Sequence, residues 1–600
     1  MNYLVVMPNF TGNQTGFYFF PLGIAYISSS LKKAGLNTFT LNLNHSGSNI
    51  EDCIKNNAID VLLTGGLSVH YNEIKSIILK ARSVNNSILT IIGGGIISSE
   101  PNSVLLGLGA DIGVLGEGEI TVVEVVNALE IQDELAKIRG IVYVNENNNI
   151  IKTLPRECIN DINQLAYPDY DGFNFSEYLD LTGKSKETRY KRYVQMIASR
   201  SCPYNCTFCF HPIGNKYRQR SLENFFTEFE YMYSKFNFDY LSVCDELFAY
   251  DKNRLYEFTK IIQKYHILWD TQIRVDMFDD TVARALKESG CNYISFGLES
   301  ASDKILASMK KNITVKQIEN ALQTARNNNI EIQGNFIFSD VSETYESATE
   351  TLKWWFQNRQ YNINLIQLSV FPGTPLFEYA IDKKIIEDKI KYLENRCPNV
   401  NISKMGFDDY TKVKKIINYL NSNYAIYPFY AEILEIDETG SSIKVEIICP
   451  NCFNTQVMDF HVYEFHQVAC VKCCQRIDID KSIFSTDNKY IEFYFESKIR
   501  QAKNNNKIVA IWGAGVECQT LLSNNEFLCG AVSFIFDKNK HGNTVFNYEI
   551  LNPESFILYD IDVILICSMI RSSINQIRRQ ILDINHSVEI LTYEEVISSI

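Results

Sequence analysis

The sequence predicts an α/β protein: an amino-terminal doubly wound, Rossmann-like domain, a partial (β/α)6 barrel, a small ribbon holding four cysteines, and a small carboxyl-terminal Rossmann-like α/β domain. Three observations predict it. Short apolar runs ending in turn residues alternate with segments of helical periodicity, in three separate stretches. Cysteines 202, 206 and 209 stand as CxxxCxxC inside the second stretch. Two CxxC pairs, 449/452 and 470/473, lie between the second and the third.

At 600 residues the chain is too long for one core, so several domains are expected. Apolar content of 46% and charged content of 21% are ordinary for globular protein. A net charge of -14 argues against nucleic acid or an anionic membrane as the main partner. No window approaches a membrane span, and MNYLVVMPNF has no basic segment before a long apolar run, so neither a span nor a signal peptide is expected. Seven of the 16 cysteines fall in two tight clusters at metal-ligand spacing, which predicts a reducing, cytoplasmic setting rather than a disulfide scaffold.

In the first part, residues 1–150, YLVVMP, TFTLNLN, VLLTGGL, LTIIGGG and IGVLGEGE read as strands, with GIAYISSSLKKAG and NEIKSIILKARSV as helices between them. This alternation means βαβ units and a parallel sheet covered on both faces. Ligands of such sheets sit beyond the carboxyl ends of the strands, where SVH (68–70), GGG (93–95) and GEGE (116–119) fall. IRGIVYVNENNNIIKT reads as a hairpin with an Asn-rich turn. Residues 151–190 read as an irregular, ordered linker. From 191 to 400, six strand segments run from VQMIASR to NLIQLSVFPG, and Thr314 with Gln317 forms a capping box for the helix between two of them. Residues 401–439 read as a helical connector, 440–482 as the cysteine ribbon, and 505–600 as the last α/β unit.

The chemistry is concentrated in SCPYNCTFCFHP. Three thiolates in a strand-to-helix loop bind three irons of a cubane cluster and leave the fourth open to an external ligand. CPYNCTFC after a strand, followed by a partial barrel, resembles the radical S-adenosylmethionine (SAM) family. That resemblance implies a [4Fe-4S] cluster on Cys202, Cys206 and Cys209, whose open iron chelates SAM and whose electron cleaves it to a 5′-deoxyadenosyl radical. It further implies that Phe208 packs over cluster and adenine, and that Asp245 or Glu246 of CDELF meets the cofactor's amino group. Glu299 of GLES, with Ser300 beside it, is implied to bind the ribose; the alternative is a helix N-cap contact. QGNFIFSDVSET, including Ile337, matches the stretch lining the adenine, with Ser339 where a glycine is usual. Arg274 is either a cation that holds a carboxylate or half of a structural salt bridge. A reducing protein such as flavodoxin or ferredoxin is the implied electron donor.

The first domain resembles that of the cobalamin (B12)-binding subfamily, through FPLGIAYISSSLKKAGLNTFTLNLN, TIIGGGIISSEP and DIGVLGEGEIT. By that resemblance Ser68, Gly93, Gly94, Gly95, Gly116, Glu117, Gly118 and Glu119 border a corrin on the strand ends. The DxHxxG motif that supplies a histidine to cobalt is broken: in LNLNHSGS, Leu43 replaces the acid and Ser48 the glycine. His45 and His70 are therefore expected to be polar loop residues, and the cobalamin base-off and His-off. The implied reaction is methylation of an unactivated carbon of a small or carrier-tethered substrate. Non-methylating radical chemistry and a non-catalytic binding protein on the same scaffold are the alternatives.

In the ribbon, Cys449, Cys452, Cys470 and Cys473, with Cys474 spare, fit a structural zinc; a redox dithiol or auxiliary iron–sulfur cluster is the alternative. WGAGVECQ has Gly513 and Gly515, but Cys518 replaces the third glycine of a dinucleotide fingerprint; Asp537 closes the next strand. Nucleotide binding and a docking role both remain open for this domain.

Overall fold

Strand β1 (Asn2–Met7) is an interior strand of the first sheet, with every residue after Asn2 buried. The computed structural model describes residues 1–10, 18–182, 192–422, 430–436, 442–449, 452–461, 467–473, 476–478, 488–567, 571–585 and 587–592. With β2 (Asn37–Asn42), β3 (Val61–Gly65), β4 (Leu89–Gly93) and β5 (Ile112–Val114), β1 forms a parallel sheet in the order β2-β1-β3-β4-β5. The apolar runs of β1 and β3 suit strands buried on both faces, while the edge strand β2 is more polar and only partly buried. β6 (Ile141–Val144) and β7 (Ile150–Lys152) extend the sheet antiparallel beyond β5. Their turn places Asn148 at φ 57°, a left-handed conformation asparagine tolerates, as the Asn-rich hairpin predicts.

The barrel strands are β8 (Tyr193–Met196), then, after a short ribbon of β9 (Ser199–Arg200) and β10 (Arg218–Gln219), β11 (Tyr240–Val243), β12 (Leu268–Ile273), β13 (Cys291–Glu299), β14 (Glu331–Phe338) and β15 (Ile363–Gln367). All neighbours in the six-stranded sheet β15-β14-β13-β12-β11-β8 are parallel. The capping box at Thr314 and Gln317 is present and starts the helix Val315–Asn327.

The stretch read as an irregular linker is partly a helix, Phe175–Thr182, and its aromatic residues are core. Tyr170, Phe173, Phe175 and Tyr178 are buried and pack their rings around Phe20, with Phe236 beside them. After β15 the chain returns: Leu376, Phe377, Tyr392 and Leu393 bury themselves with Tyr71, Ile74 and Ile96 of the first domain. These shared cores make Met1–Ser422 one compact unit; Asn423–Ile600 is a second.

In the second unit, Tyr430–Ile436 forms β16, where the sequence reading placed the end of a helical connector. Antiparallel pairing with the next strand decides this, with a bulge between Ile433 and Glu435 where Leu434 and Glu435 are both exposed. The helix Phe407–Ser422 occupies only the first half of that connector. β16 pairs with β17 (Ser442–Ile448), which pairs with β18 (Thr455–His461); β19 (Gln467–Ala469) and β20 (Arg476–Asp478) form a second antiparallel ribbon. Then β21 (Val509–Trp512), β22 (Phe534–Phe536), β23 (Thr544–Val545), β24 (Tyr548–Leu551), β25 (Val563–Ile566) and β26 (Glu589–Thr592) build a sheet in the order β23-β24-β22-β21-β25-β26, parallel except at β23. No helix among the described residues is long and apolar enough to cross a membrane.

Two buried carboxyls fasten strand ends in the first unit. Asp245, after β11, accepts hydrogen bonds from the Ala198 N–H (2.7 Å) and the Ser199 hydroxyl (2.6 Å). Glu343 accepts from the Ser339 N–H, where Ser339 holds φ 84° at the end of β14. Burial pushes Asp245 up to about 6 and Glu343 up to about 8. A carboxyl raised in the folded state binds more protons folded than unfolded between its two pKa values, so stability falls as pH rises across that window. The melting temperature of the Met1–Ser422 unit should therefore fall between about pH 5 and about pH 8. Glu343→Gln should flatten the upper part of that slope in a pH series of thermal scans, and an unchanged slope would remove Glu343 as its source.

Candidate active site

The ribbon β9/β10 pinches the neck of the cysteine loop, residues 201–217, with Arg200 paired to Arg218 across it. Inside the loop Cys206 is buried, and Cys202 and Cys209 are partly exposed. A turn places the Cys209 N–H on the Cys206 carbonyl, and the Thr207 N–H donates to the Met309 carbonyl. A hydrogen bond from Cys209 holds the Cys206 thiol below its ordinary range, and the Lys311 ammonium acts in the same direction; burial raises Cys202. Thr207 Oγ1 and both His211 ring nitrogens are buried without partners. Three thiols on one loop beside orphaned polar atoms fit a cluster with an external ligand.

Phe208 and Ile337, predicted to share one cofactor, pack against the same cluster of buried residues. Lys311 Nζ lies 6.0 Å from the Phe208 ring centroid and 2.7 Å from Glu299 Oε1. Glu299 sits at φ 65° at the end of β13 and is ion-paired with Lys311, an interaction the sequence reading did not include. Ser300 is buried, its hydroxyl 3.2 Å from Thr351 Oγ1. Of the two readings of Arg274, the structure shows the salt bridge. It is bidentate to Asp276 (3.0 Å to each oxygen), donates to the Lys311 carbonyl, and stacks 3.7 Å from the ring centroid of Tyr204 in the cysteine loop. Of the acidic pair, Asp245 spends both oxygens on the β8 end, whereas Glu246 opens on a cavity.

That cavity, about 750 Å³, lies between the strand ends of the first sheet and those of the barrel. Gly93, Gly94, Gly95, Gly116, Glu117, Gly118 and Glu119 line it; Ser68 is buried outside the lining, while its neighbours Leu67 and His70 face in. From the barrel side come Ile197, Arg200, Pro212, Cys244 and Glu246. Gly94 has φ 89°, and a Cβ there would stand 2.8 Å from the Gly66 carbonyl oxygen. The two glycine loops thus press backbone on backbone and leave an apolar floor without side chains, which fits a large planar ligand. His45 is not in the lining. Its Nε2 accepts from the Asn42 amide (3.1 Å) and lies 3.2 Å from the Tyr18 hydroxyl, while Nδ1 lies 3.4 Å from Glu177.

Sequence reasoning missed the group that joins loop to cavity. Glu117 Oε1 accepts from Arg200 (2.8 Å), and its Oε2 accepts from Arg218 (2.6 Å) and the Ile159 N–H (2.7 Å). Arg200 also donates to Glu119 (2.6 Å), and Arg218 to the Ser201 hydroxyl (3.1 Å), next to Cys202. All four charged side chains are nearly buried, so their charges are balanced by one another, and neighbouring backbone and hydroxyl groups take the remaining hydrogen bonds. The one signal in the sequence was two acids in GEGE and arginines on both flanks of the cysteine loop.

In the second unit, Cys449, Cys452, Cys470 and Cys473 bring their sulfurs within 4.8 Å of one another, with pairs at 3.6 and 3.5 Å. Zinc–sulfur bonds of about 2.3 Å in a tetrahedron require about 3.8 Å between sulfurs, so four thiolates here fit a closed zinc site. Cys474 lies outside the described residues. In the GAG loop, Asp537 accepts from the backbone N–H groups of Ala514 (2.8 Å), Asn539 (2.8 Å) and Lys540 (3.0 Å), which occupies the carboxylate that a ribose would need.

The radical SAM superfamily profile matches residues 196–354, and the B12 binding domain profile matches residues 9–126. The chain is 28% identical over 379 residues to an uncharacterized methyltransferase of Pyrococcus horikoshii, covering 61% of this chain and 79% of that one. It is 25% identical to the anaerobic magnesium-protoporphyrin IX monomethyl ester cyclase of Rubrivivax gelatinosus, covering 52% and 57%. The fold is similar to that of the radical S-adenosylmethionine methyltransferase TsrM from Kitasatospora setae (TM-score 0.53, 17% identity, 64% of this chain and 76% of that one).

Removing one partner of the buried clamp should be costly. Arg218→Met should destabilise the Met1–Ser422 unit by about 3 kcal/mol in urea unfolding and lower the iron retained after reconstitution. Adding Glu117→Gln should recover part of both; no recovery would mean the two residues do not act as a pair. For the second unit, metal analysis should find about one zinc per chain, and chelation should loosen the ribbons around β18 and β19 in hydrogen exchange.

Proposed function

The chain belongs to the radical SAM enzymes that carry a cobalamin-binding domain, and on that premise we propose that it methylates an unactivated carbon of a small or carrier-tethered substrate. The observation that carries this reading is the shared cavity: one wall is the glycine floor of the B12-binding sheet, and the other comes from the barrel and the cysteine loop, at Pro212 and Ile213. A one-carbon donor held there lies beside the place where a substrate radical would form.

When bound, the cluster supplies the electron that splits SAM, and the corrinoid supplies the methyl group. The chain's residues do the rest. Cys202, Cys206 and Cys209 hold the cluster, and Phe208, Ile337 and the Glu299–Lys311 pair hold the SAM end of the barrel. Glu246 is the carboxylate left for a cofactor or substrate amine. Gly93–Gly95 seat the corrin, and walls such as Val5, Ile24, Leu63 and Val122 keep water from the reacting carbon. A flavodoxin- or ferredoxin-type protein in the cytoplasm would deliver the electrons. A non-methylating reaction is the second reading, favoured by the likeness to a cyclase.

Reconstituted protein given SAM labelled in its methyl group separates these readings. Label in the product, with 5′-deoxyadenosine formed alongside, is expected; deoxyadenosine without transferred label would overturn methylation in favour of the second reading. Cys206→Ala should abolish deoxyadenosine formation. Its absence from the unaltered protein under strong reductant would point to a non-catalytic scaffold.

A further inference from the structure

His70 ends the short turn Ser68–His70 that leads from β3 into the helix Tyr71–Val84. Its ring lines the cavity beside Gly66, Leu67, Gly93 and Gly94, and is the only imidazole among the described lining residues. Three contacts fix its orientation. The Leu67 backbone N–H donates to Nδ1 at 3.2 Å. The Phe10 ring meets it edge-on, with centroids 4.6 Å apart. Gly66 lies beneath, where a Cβ would stand 3.0 Å from Nδ1. Nε2 makes no hydrogen bond among the described residues.

A backbone amide can only donate, so Nδ1 must be the acceptor. Burial also disfavours a second proton on the ring. A neutral imidazole that accepts at Nδ1 carries its hydrogen on Nε2. The atom left to the cavity is therefore an N–H and has no lone pair to give a metal. Ligation through Nε2 would move the proton to Nδ1 and set it against the Leu67 N–H, donor facing donor.

We propose that His70 is a hydrogen-bond donor to the bound corrinoid, gripping a carbonyl of one of its peripheral amides through Nε2–H, and that its tautomer bars it from ligating cobalt. This rests on the cobalamin reading above. It gives a physical cause for the His-off state: the cavity does present an imidazole, but with the wrong atom protonated.

Two substitutions separate the ring's two edges. His70→Asn keeps an acceptor near the Nδ1 position for the Leu67 N–H and removes the outer donor. His70→Gln carries an N–H to the Nε2 position. Titration of the full chain with hydroxocobalamin should show binding weakened about five- to tenfold in His70→Asn, the size expected for one hydrogen bond, and largely restored in His70→Gln. Iron content after reconstitution should be equal in all three proteins, which controls for folding. Electron paramagnetic resonance with cob(II)inamide, which has no nucleotide base of its own, should show no splitting by a ligating nitrogen in any of them. Nitrogen splitting in the unaltered protein that disappears in His70→Asn would make His70 a ligand and overturn the proposal. Equal affinity of His70→Asn and the unaltered protein would overturn the contact. Failure of the unaltered chain to take up hydroxocobalamin would instead overturn the underlying reading, and this proposal with it.

Discussion

The arrangement of the first unit depends on Glu117. Its two carboxylate oxygens hold Arg200 and Arg218, which face each other across the two-residue ribbon at the neck of the cysteine loop. Two guanidinium groups in register and nearly out of water would repel, so the ribbon closes only when an acid from the first sheet stands between them. Arg218 extends the contact to Ser201, the residue before Cys202. The pose of the cysteine loop and the edge of the cavity are thus parts of one buried network.

Other contacts follow the same rule, tying the loop to the barrel. Tyr204 is stacked by Arg274, which is itself held by Asp276, and Thr207 is held by the Met309 carbonyl. Asp245 clips β11 to the end of β8, where the ribbon begins. These groups restrain a loop that must keep three sulfurs convergent while leaving one face open. Rigid support of the ligand-bearing residues is what such a site needs, since small displacements change how the reacting atoms meet.

The fold was largely legible, because it is written in local periodicity. Four of the first five strands are short apolar runs, β2 being the exception, and the hairpin and the Thr314 cap are signalled by contiguous residues. The exceptions were segments whose burial is set from afar. The aromatics of residues 170–178 looked like a linker because no regular period runs through them, yet their rings fill a core around Phe20. Tyr430–Ile436 was absorbed into a helical reading, because what makes it a strand is its pairing with β17, and a bulge interrupts its period.

The sequence by itself pointed to the cofactor classes of the first two domains, an iron–sulfur cluster with SAM and a cobalamin. Cysteines spaced within one loop, and glycines at the end of one strand, act as local units whose geometry is dictated by their spacing. Only the tertiary structure decided which charges are spent and which are free. Glu117 and Arg218 are 101 residues apart, Arg274 is occupied, Glu246 is open, and the proton on His70 follows from a backbone amide meeting its inner edge. A charged group or an imidazole takes its role from its partners in space, and those partners are chosen by how two sheets and a loop pack together.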